Sequence, residues 1–289
     1  MRLGLFPGQG VPARAVLAAL PAGDPTLQRA SDLLGYDLRK RVEQVARRQK
    51  AVMPTSLAQP AIFTASLAAF ASHSGETFDC YLGHSVGEYA ALVAGAAMTF
   101  DHGLDVVKVR GEAMERASLA AAGGMVVILD LTLAEAEAVA EDAGVTVAND
   151  NSPRQIVLAG DHDRLAVAAS SAVAKGGRAV RLDVAGPFHT ARLAPATPSV
   201  RAALDQIEIR LPQVMVVSNV SASGYRAPGE IRELLTQQFT TRVRFREALE
   251  GLWRKGVTDF HDFGPGKVVA GLAARTFDAL RTGSTAAVG

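Results

Sequence analysis

Ser85 lies between two glycines in the segment GHSVG, residues 83–87. The pattern G-x-S-x-G is typical of a nucleophile elbow, a sharp turn from a strand into a helix that exposes the serine hydroxyl. Glycines suit such a turn because neighbours without a Cβ let the backbone fold back sharply. The helix that follows would place its N-terminal N–H groups beside an oxyanion. The segment therefore predicts a nucleophilic serine, and the alternative is a glycine turn that the serine merely caps.

A nucleophilic serine needs a base, and the chain contains six histidines. His84 precedes the serine, but successive side chains point apart, so its ring is expected to pack or to form structural hydrogen bonds. His189 follows a strand and a Gly-Pro break, so its ring could face a cleft. On residue pattern alone, His189 and His261 are equal candidates for the base. The acids available to orient that base are Asp183 and Asp262, and nothing in the sequence singles out either.

Two further segments could contact a substrate. The segment FPGQG (6–10) follows the first apolar run, and its glycines would let backbone N–H groups approach a substrate oxygen at the carboxyl edge of a sheet. An ordinary turn is the alternative. Arg110 lies in an otherwise apolar helical segment. It is either a surface arginine whose stem covers apolar residues or a buried guanidinium that binds a carboxylate bidentately.

Alternating strand and helix patterns surround these residues in the first part of the chain. The predicted elements are a strand at 3–6, helical sequence from Val11 to Gln49 interrupted at Gly35, a helix over 59–75, a strand that runs into GHSVG, a helix after it and a helix over 100–117. This order predicts an α/β protein with a parallel sheet covered on both faces.

The pattern changes at Gly123. Between 123 and 184 the order strand–helix–strand occurs twice, which is typical of a ferredoxin-like unit. Strand patterns at 215–220 and 258–266 then resume the first arrangement. We therefore expect a large subdomain formed by residues 1–122 and 185–289, with residues 123–184 inserted as a small subdomain.

The bulk composition excludes several classes of function. The chain has 289 residues, 48% hydrophobic and 20% charged, with a formal net charge of +1, so no strong field favours nucleic acid or a membrane surface. Its single cysteine, Cys80, excludes an internal disulfide and a cysteine-based zinc site. Phosphate-binding loops and the zinc motif H-E-x-x-H do not occur. The N-terminal residues reach Pro and Gly after only a few apolar positions, so they lack a signal peptide core, and no uninterrupted apolar run of 18 residues occurs. A cytoplasmic location is therefore expected.

Together these segments resemble the malonyl-CoA:acyl-carrier-protein transacylase family, which also supplies acyltransferase domains to fatty acid and polyketide synthases. The resemblance covers nearly the whole chain. The segments that carry it are FPGQG, AQPAIFTASLA, GHSVGEYAALVAGAAMTFDHGLDVVKVRGEAM, GGMVVI, NDNSPRQIVLAGD, PFHT and DFGPGKVVAGL, in the family's order. The implied fold is an α/β-hydrolase-like large subdomain with an inserted ferredoxin-like small subdomain.

The resemblance also implies catalytic roles. Ser85 would carry the acyl group and His189 would be its base. In this family a backbone carbonyl orients the histidine, and the matching residue here is Gln238. The backbone N–H groups of Gln9 and Val86 would form the oxyanion hole.

For the substrate, the resemblance implies that Arg110 holds the malonyl carboxylate. Phe188 precedes the histidine, where related domains that select malonyl often have phenylalanine and those that select branched malonyl have serine. His84 is assigned to the substrate-binding residues with these two. The chain departs from the family after Gly10, where VPARAVLAAL replaces a longer entry loop, and at Arg242, where proline is common.

The implied activity is transfer of a malonyl group from malonyl-CoA, through a seryl ester, to the phosphopantetheine thiol of an acyl carrier protein. The role would be in fatty acid synthesis or, on the departures from the family pattern, more readily in polyketide synthesis. The expected partners are malonyl-CoA and the carrier protein, with no bound metal or cofactor, no nucleic acid and no membrane, and the enzyme is expected to be a monomer. The alternatives are the malonyl transferase subunit of malonate decarboxylase, a serine thioesterase or acyl hydrolase, and a docking module without activity.

Overall fold

Two β-sheets and the helices packed on them account for residues 1–48 and 52–283, the part of the chain that the computed structural model describes. The strands within these residues are β1 (Arg2–Phe6), β2 (Cys80–Gly83), β3 (Gly124–Leu129), β4 (Thr146–Ser152), β5 (Gln155–Gly160), β6 (Arg178–Leu182), β7 (Met215–Val217), β8 (Val243–Arg244) and β9 (Asp259–Asp262). The α-helices are α1 (Ala13–Ala18), α2 (Pro25–Leu34), α3 (Leu38–Ala46), α4 (Thr55–Ala71), α5 (Gly87–Ala94), α6 (Phe100–Ala120), α7 (Leu133–Ala143), α8 (His162–Ala174), α9 (Thr197–Asp205), α10 (Pro228–Gln237), α11 (Phe245–Arg254) and α12 (Val268–Thr282), with a 3-10 helix at Ala191–Ala196. No helix within these ranges combines the length and the apolar composition that a membrane crossing requires.

The first sheet is parallel and has the strand order β7-β2-β1-β9. Its strands are short and apolar because helices cover both faces. Leu3 and Leu5 of β1 pack with α11 and α12 on one face, whereas Phe6 packs into the larger cluster on the other. The carboxyl ends of β1 and β2 therefore lie side by side, and both lead into glycine-rich turns.

The second sheet has the order β6-β3-β5-β4-β8. The pairs β3–β5, β3–β6 and β4–β5 are antiparallel, and α7 and α8 pack on one face through an alanine- and valine-rich core. Thr132 caps the N-terminus of α7 and forms a capping box with Glu135. The first sheet and this unit together form the predicted combination of an α/β subdomain and an inserted ferredoxin-like subdomain.

One strand of the second sheet comes from outside the inserted segment. Strand β8 pairs in parallel with β4, with Asn149 opposite Val243 and Asp150 opposite Arg244. Two residues are too few to show an alternating pattern, so the sequence does not reveal this strand. The division into residues 1–122 with 185–289 and residues 123–184 stays a prediction, and its last residues, 284–289, lie outside the described residues.

Two helix predictions were wrong in their bounds. The stretch from Val11 to Gln49 holds three helices, because Asp24 and Asp37 each cap a new N-terminus and Gly35 ends α2 at a φ of 74°; Gln49 lies outside the described residues. The helix predicted to begin near Pro60 begins at Thr55, so the proline lies inside it. The first N–H groups of a helix have no partner within it. Here the N–H of Ser56 donates to the Glu115 carboxylate of α6, a partner that is distant in the sequence.

Near the pairing of β8 with β4, an ion pair joins the second sheet to α11, which packs on the first sheet. Arg246 of α11 donates from Nε to Asp150 Oδ1 at 2.9 Å and from Nη2 to Oδ2 at 2.9 Å. Asp150 is buried, with 2% of its surface exposed. Arg246 also donates from Nη1 to Glu250 at 2.6 Å. A fork-to-fork pair of this kind fixes orientation as well as distance.

We expect Arg246→Met to lower the free energy of unfolding by about 3 kcal/mol, because it leaves the buried Asp150 without a partner. Chemical denaturation monitored by circular dichroism measures the change. Arg210→Met, which breaks an exposed pair with Glu208, is the matched control and should change stability by less than about 0.5 kcal/mol. Equal effects of the two substitutions would contradict the role assigned to the buried pair.

Candidate active site

The nucleophile turn joins the end of β2 to the start of α5 and contains Ser85 at a φ of 53°. A Cβ at Gly83 would lie 2.0 Å from the backbone carbon of Gly87, and a Cβ at Gly87 would lie 2.2 Å from the carbonyl oxygen of Phe6. Neither position can hold a side chain without moving the backbone. The two glycines therefore permit a left-handed serine at the tip of a sharp turn, which is the geometry that the sequence predicts.

Asn219, which follows β7, secures this turn. Its Oδ1 accepts the backbone N–H of Ser85 at 2.7 Å, and its Nδ2 donates to the carbonyl of Gly83 at 2.6 Å. The side chain is fully buried. Asn219 was not among the predicted site residues, and the only signal for it in the sequence is its position just after a strand of the parallel sheet.

His189 lies against the serine hydroxyl, with Nε2 at 2.9 Å from Ser85 Oγ. Its Nδ1 lies 2.8 Å from the main-chain oxygen of Gln238. A carbonyl can only accept, so Nδ1 must carry the ring proton and Nε2 is left as the acceptor for the serine proton. The structure therefore brings together Ser85, His189 and Gln238 in the order hydroxyl, imidazole, carbonyl.

The other candidates for base and orienting acid do not contact the imidazole. Asp183 lines the same cleft as His189, but the partner of Nδ1 is the Gln238 carbonyl. His261 is in β9, with its ring centroid 4.5 Å from that of His73. Asp262 accepts the backbone N–H groups of Gly264 and Ala270. The partner of the His189 ring is thus a backbone atom, which no search for an acidic residue type could have found.

Burial changes the acidity of the imidazole. His189 is 4% exposed, and desolvation, together with the nearby Arg110 guanidinium, lowers its pKa to about 3. The neutral carbonyl of Gln238 opposes this shift only in part. The ring is therefore neutral, and able to accept a proton, throughout the physiological range.

Arg110 is fully buried beside the serine, so the reading of a surface arginine is wrong. Its Nη2 donates to Ser85 Oγ at 3.1 Å and to Gln238 Oε1 at 2.7 Å, and its Nη1 donates to Gln59 Oε1 at 2.7 Å. Within residues 1–48 and 52–283, no carboxylate oxygen lies within 4.0 Å of its nitrogens, and its Nε has no hydrogen-bond partner. Burial lowers the pKa of the guanidinium, yet an arginine stays charged in proteins. The site therefore contains a buried positive charge without an ion-pair partner.

Two backbone N–H groups border the serine. Val86 is the N-cap of α5, and Gln9 follows β1 in the turn that faces the nucleophile turn. Neither N–H donates a hydrogen bond to another group of the described chain. The Gln9 side chain is held away by a bond from Nε2 to Thr55 Oγ1 at 3.2 Å. Two free donors beside a hydroxyl are the elements of an oxyanion hole.

A cleft between the two sheets leads to these residues. It has a volume of about 830 Å³, within the usual range for small-molecule sites. Phe188 and Met114 line it, as do Gln9, Ser85 and His189. His84 also reaches the cleft, but its Nε2 lies 2.8 Å from Asn151 Oδ1 and its ring packs on Phe245. The ring thereby ties the nucleophile turn to β4.

This fold, with a serine at the strand-to-helix turn and a histidine beside it, defines the class of enzymes that form seryl esters, which includes acyltransferases and hydrolases. The model of the acyl transferase domain family matches residues 5–288. The chain belongs to that family. The predicted family, the predicted fold class and the predicted acyltransferase activity are confirmed.

Curated relatives and solved structures agree with this membership. The chain is similar to the malonyl CoA-acyl carrier protein transacylase of Bacillus subtilis, with 36% identity over 96% of this chain and 91% of the relative. Its structure is similar to that of the malonyl CoA-acyl carrier protein transacylase of Coxiella burnetii, with a TM-score of 0.89 and 33% identity over 95% of this chain and 90% of the other. It is also similar to a structure described as a type II PKS acyl-carrier protein in complex with its malonyl-transacylase, with a TM-score of 0.86 and 31% identity over 96% of this chain and 93% of the other.

The low pKa of His189 predicts how serine reactivity depends on pH. Labelling of Ser85 by a fluorophosphonate needs a neutral imidazole, so its rate should stay within about twofold between pH 8 and pH 5. A histidine with an ordinary pKa of about 6.5 would lose more than about tenfold over this range. Mass spectrometry of samples quenched at set times gives the labelling rate, and circular dichroism checks that the protein is folded at each pH. Ser85→Ala, which lacks the hydroxyl, is the control. A tenfold loss of the labelling rate by pH 5 would contradict the low pKa of His189.

Proposed function

We propose that the enzyme transfers a malonyl group from malonyl-CoA to the phosphopantetheine thiol of an acyl carrier protein, by way of an ester on Ser85. The observation that carries the proposal is the buried Arg110 guanidinium, which has no carboxylate partner in the part of the chain that the structure describes and lies 3.1 Å from Ser85 Oγ. A fixed cation beside the nucleophile selects an acyl group that ends in a carboxylate. The names of the relatives, malonyl transacylases that act with CoA and a carrier protein, support the same substrate.

In the first half-reaction, the Ser85 hydroxyl gives its proton to His189 Nε2 as Oγ attacks the thioester carbonyl carbon. The carbonyl oxygen becomes an oxyanion that accepts hydrogen bonds from the backbone N–H groups of Gln9 and Val86. Collapse of this intermediate breaks the carbon–sulfur bond, and the proton on His189 passes to the departing CoA sulfur. The product is malonyl-Ser85 with a neutral imidazole.

The second half-reaction reverses these steps with a different thiol. The carrier's thiol gives its proton to His189 and attacks the ester carbonyl, and the oxyanion forms in the same place. The proton on His189 then returns to Ser85 Oγ as the ester bond breaks. Malonyl-CoA and the malonyl carrier are both thioesters of similar free energy of hydrolysis, so the transfer needs no further energy source.

A weak base favours transfer over hydrolysis. His189 is oriented by the neutral carbonyl of Gln238, and its pKa is lowered to about 3. A thiol, with a pKa of about 8.5, gives up its proton to such a base far more readily than water, with a pKa of about 15.7. The malonyl ester should therefore persist until a carrier thiol arrives.

The acyl pocket supports malonyl over branched malonyl groups. Phe188 is 5% exposed and lines the cleft next to His189, so its ring occupies space that an α-substituent would need. A single pocket side chain discriminates by about 1–3 kcal/mol per methylene. His84 bounds the same cleft, although its Nε2 is already bonded to Asn151.

The division of the chain into residues 1–122 with 185–289 and an inserted subdomain, 123–184, agrees with this proposal, since the cleft lies where the two parts meet. A cytoplasmic, monomeric enzyme without a bound cofactor remains our expectation.

Transfer is distinguished from hydrolysis by the dependence on the carrier. With malonyl-CoA alone, we expect one equivalent of malonyl on Ser85 and slow release of malonate. Addition of a carrier protein with its phosphopantetheine arm should accelerate CoA release by at least about 100-fold, because a thiol replaces water as the second nucleophile. Mass spectrometry follows the seryl ester and the malonyl carrier. The carrier without its arm is the control, and malonate release at one rate with or without the carrier thiol would establish a hydrolase.

Arg110→Met tests the selection of the carboxylate. The substitution should lower kcat/KM for malonyl-CoA by at least about 100-fold, since it removes a charge-assisted pair with the substrate. The rate with acetyl-CoA should change far less, so the preference for malonyl is lost. Unchanged malonyl preference would remove Arg110 from substrate recognition. Gln59→Met, which removes a neutral partner of the same guanidinium, serves as the comparison and should retain that preference.

A further inference from the structure

A carboxyl group lies buried behind the nucleophile turn, at Glu88 in the first turn of α5. It is 1% exposed. Its Oε2 accepts from Gln238 Nε2 at 2.6 Å and from the backbone N–H of Asn219 at 3.1 Å, and the hydroxyl of Tyr225 donates to its Oε1. Nothing in the acyl-transfer steps uses this carboxyl, because it lies behind the turn and does not contact the reacting atoms.

The principal partner of Glu88 is Gln238, which also forms hydrogen bonds with the other groups of the site. The Gln238 main-chain oxygen lies 2.8 Å from His189 Nδ1, its Oε1 accepts from Arg110 at 2.7 Å, and its Nε2 donates to the carbonyl of Ser85 at 3.3 Å as well as to Glu88. Gln238 is fully buried, so water does not compete for these atoms.

The amide of Gln238 can point either way, and its surroundings decide which. A flipped amide would set its NH2 group against the guanidinium N–H groups of Arg110 and its oxygen against Glu88 and the Ser85 carbonyl. Both contacts would be repulsive. Glu88 accepts the shorter of the two Nε2 bonds, and Arg110 donates to Oε1, so these two residues together hold the observed orientation.

We propose that Glu88 is a positioning residue for acyl transfer: it holds the Gln238 side chain, so that this residue presents its main-chain carbonyl to His189 and its amide oxygen to Arg110. The inference rests on the proposed malonyl transfer and adds a residue that acts on it from behind the site. Through Asn219, the same carboxyl also reaches the backbone of the nucleophile turn.

The role does not require a negative charge. Desolvation raises the pKa of Glu88 to about 7, so the group is partly protonated at neutral pH. The groups that face it are Tyr225, Gln238, Asn219 and the Ser218 hydroxyl, with Tyr89 and Arg110 farther away. A proton on Oε1 faces the Tyr225 hydroxyl, which can accept as well as donate, and Oε2 still accepts from Gln238. A glutamine with its oxygen toward Gln238 meets the same requirement.

Three variants test the proposal through acylation by malonyl-CoA. Glu88→Leu removes both oxygens at similar size and should lower kcat/KM by about 30-fold, since small displacements of reacting groups cost rates of this order. Glu88→Gln keeps an acceptor and should stay within about threefold of the parent enzyme. Asp262→Asn, a carboxyl that accepts two N–H groups away from the cleft, is the control for loss of a structural carboxyl and should alter thermal stability but not the rate.

A double-mutant cycle separates positioning from general destabilisation. In a Gln238→Met background, Glu88 has no amide left to hold and keeps only its bonds to the Asn219 N–H and the Tyr225 hydroxyl. Glu88→Leu should therefore cost clearly less there than in the parent enzyme. Full additivity, or a parental rate for Glu88→Leu alone, would overturn the proposal. If Glu88→Leu does not fold, Glu88→Asp, which withdraws the carboxyl by one methylene, should lower kcat/KM by about tenfold, and a parental rate there would overturn it equally.

Ester formation by the parent enzyme distinguishes failure of the malonyl-transfer proposal from failure of the Glu88 proposal. Failure of the unmodified protein to form malonyl-Ser85 would reject malonyl transfer itself. Normal ester formation by the parent enzyme, together with a parental rate in the Glu88 variants, would reject only the positioning role.

Discussion

The burial of one positive charge, that of Arg110, without a counter-ion among the described residues governs the arrangement of this site. Removing a guanidinium from water costs several kcal/mol unless other groups replace its hydration. Arg110 receives that replacement from the amide oxygens of Gln59 and Gln238 and from the serine hydroxyl, with the rings of Tyr89 and Phe239 about 5 Å from its central carbon. Neutral acceptors solvate the charge without neutralising it, so in the proposed malonyl transfer an incoming carboxylate would meet a desolvated cation.

Satisfying this charge connects residues that are far apart in the sequence. Gln238 lies 128 positions from Arg110 and 150 from Glu88, yet its one side chain contacts both, while its main chain contacts His189. Ser85, His189 and Arg110 are therefore held by a shared set of buried hydrogen bonds. Hydrogen bonds in a low-dielectric interior are electrostatically stronger than those in water, so these bonds restrict the side chains that they join before a substrate arrives.

The parts of this structure that follow from local chemistry were predictable from the sequence. The glycines around Ser85 reveal the turn because their cause is steric and lies within five residues, and the strand and helix periodicities reveal both sheets. The choice between His189 and His261 was not predictable from pattern, because it depends on which loop the sheet brings to the serine. Asn219 and Glu88 escaped notice for a related reason: each acts through partners more than 100 positions away. The histidine's partner is a backbone oxygen, and residue types carry no information about it.

The two-residue strand β8 makes the inserted unit less separable than its chain segment indicates. Residues 243 and 244 complete the second sheet from a part of the chain that otherwise belongs with the first, and the Asp150–Arg246 pair follows directly. A chimera that exchanges only residues 123–184 with a relative would leave the recipient's own edge strand and arginine facing a foreign β4. A graft intended to change the cleft wall must therefore carry residues 243–246 with it, so the unit of exchange is discontinuous.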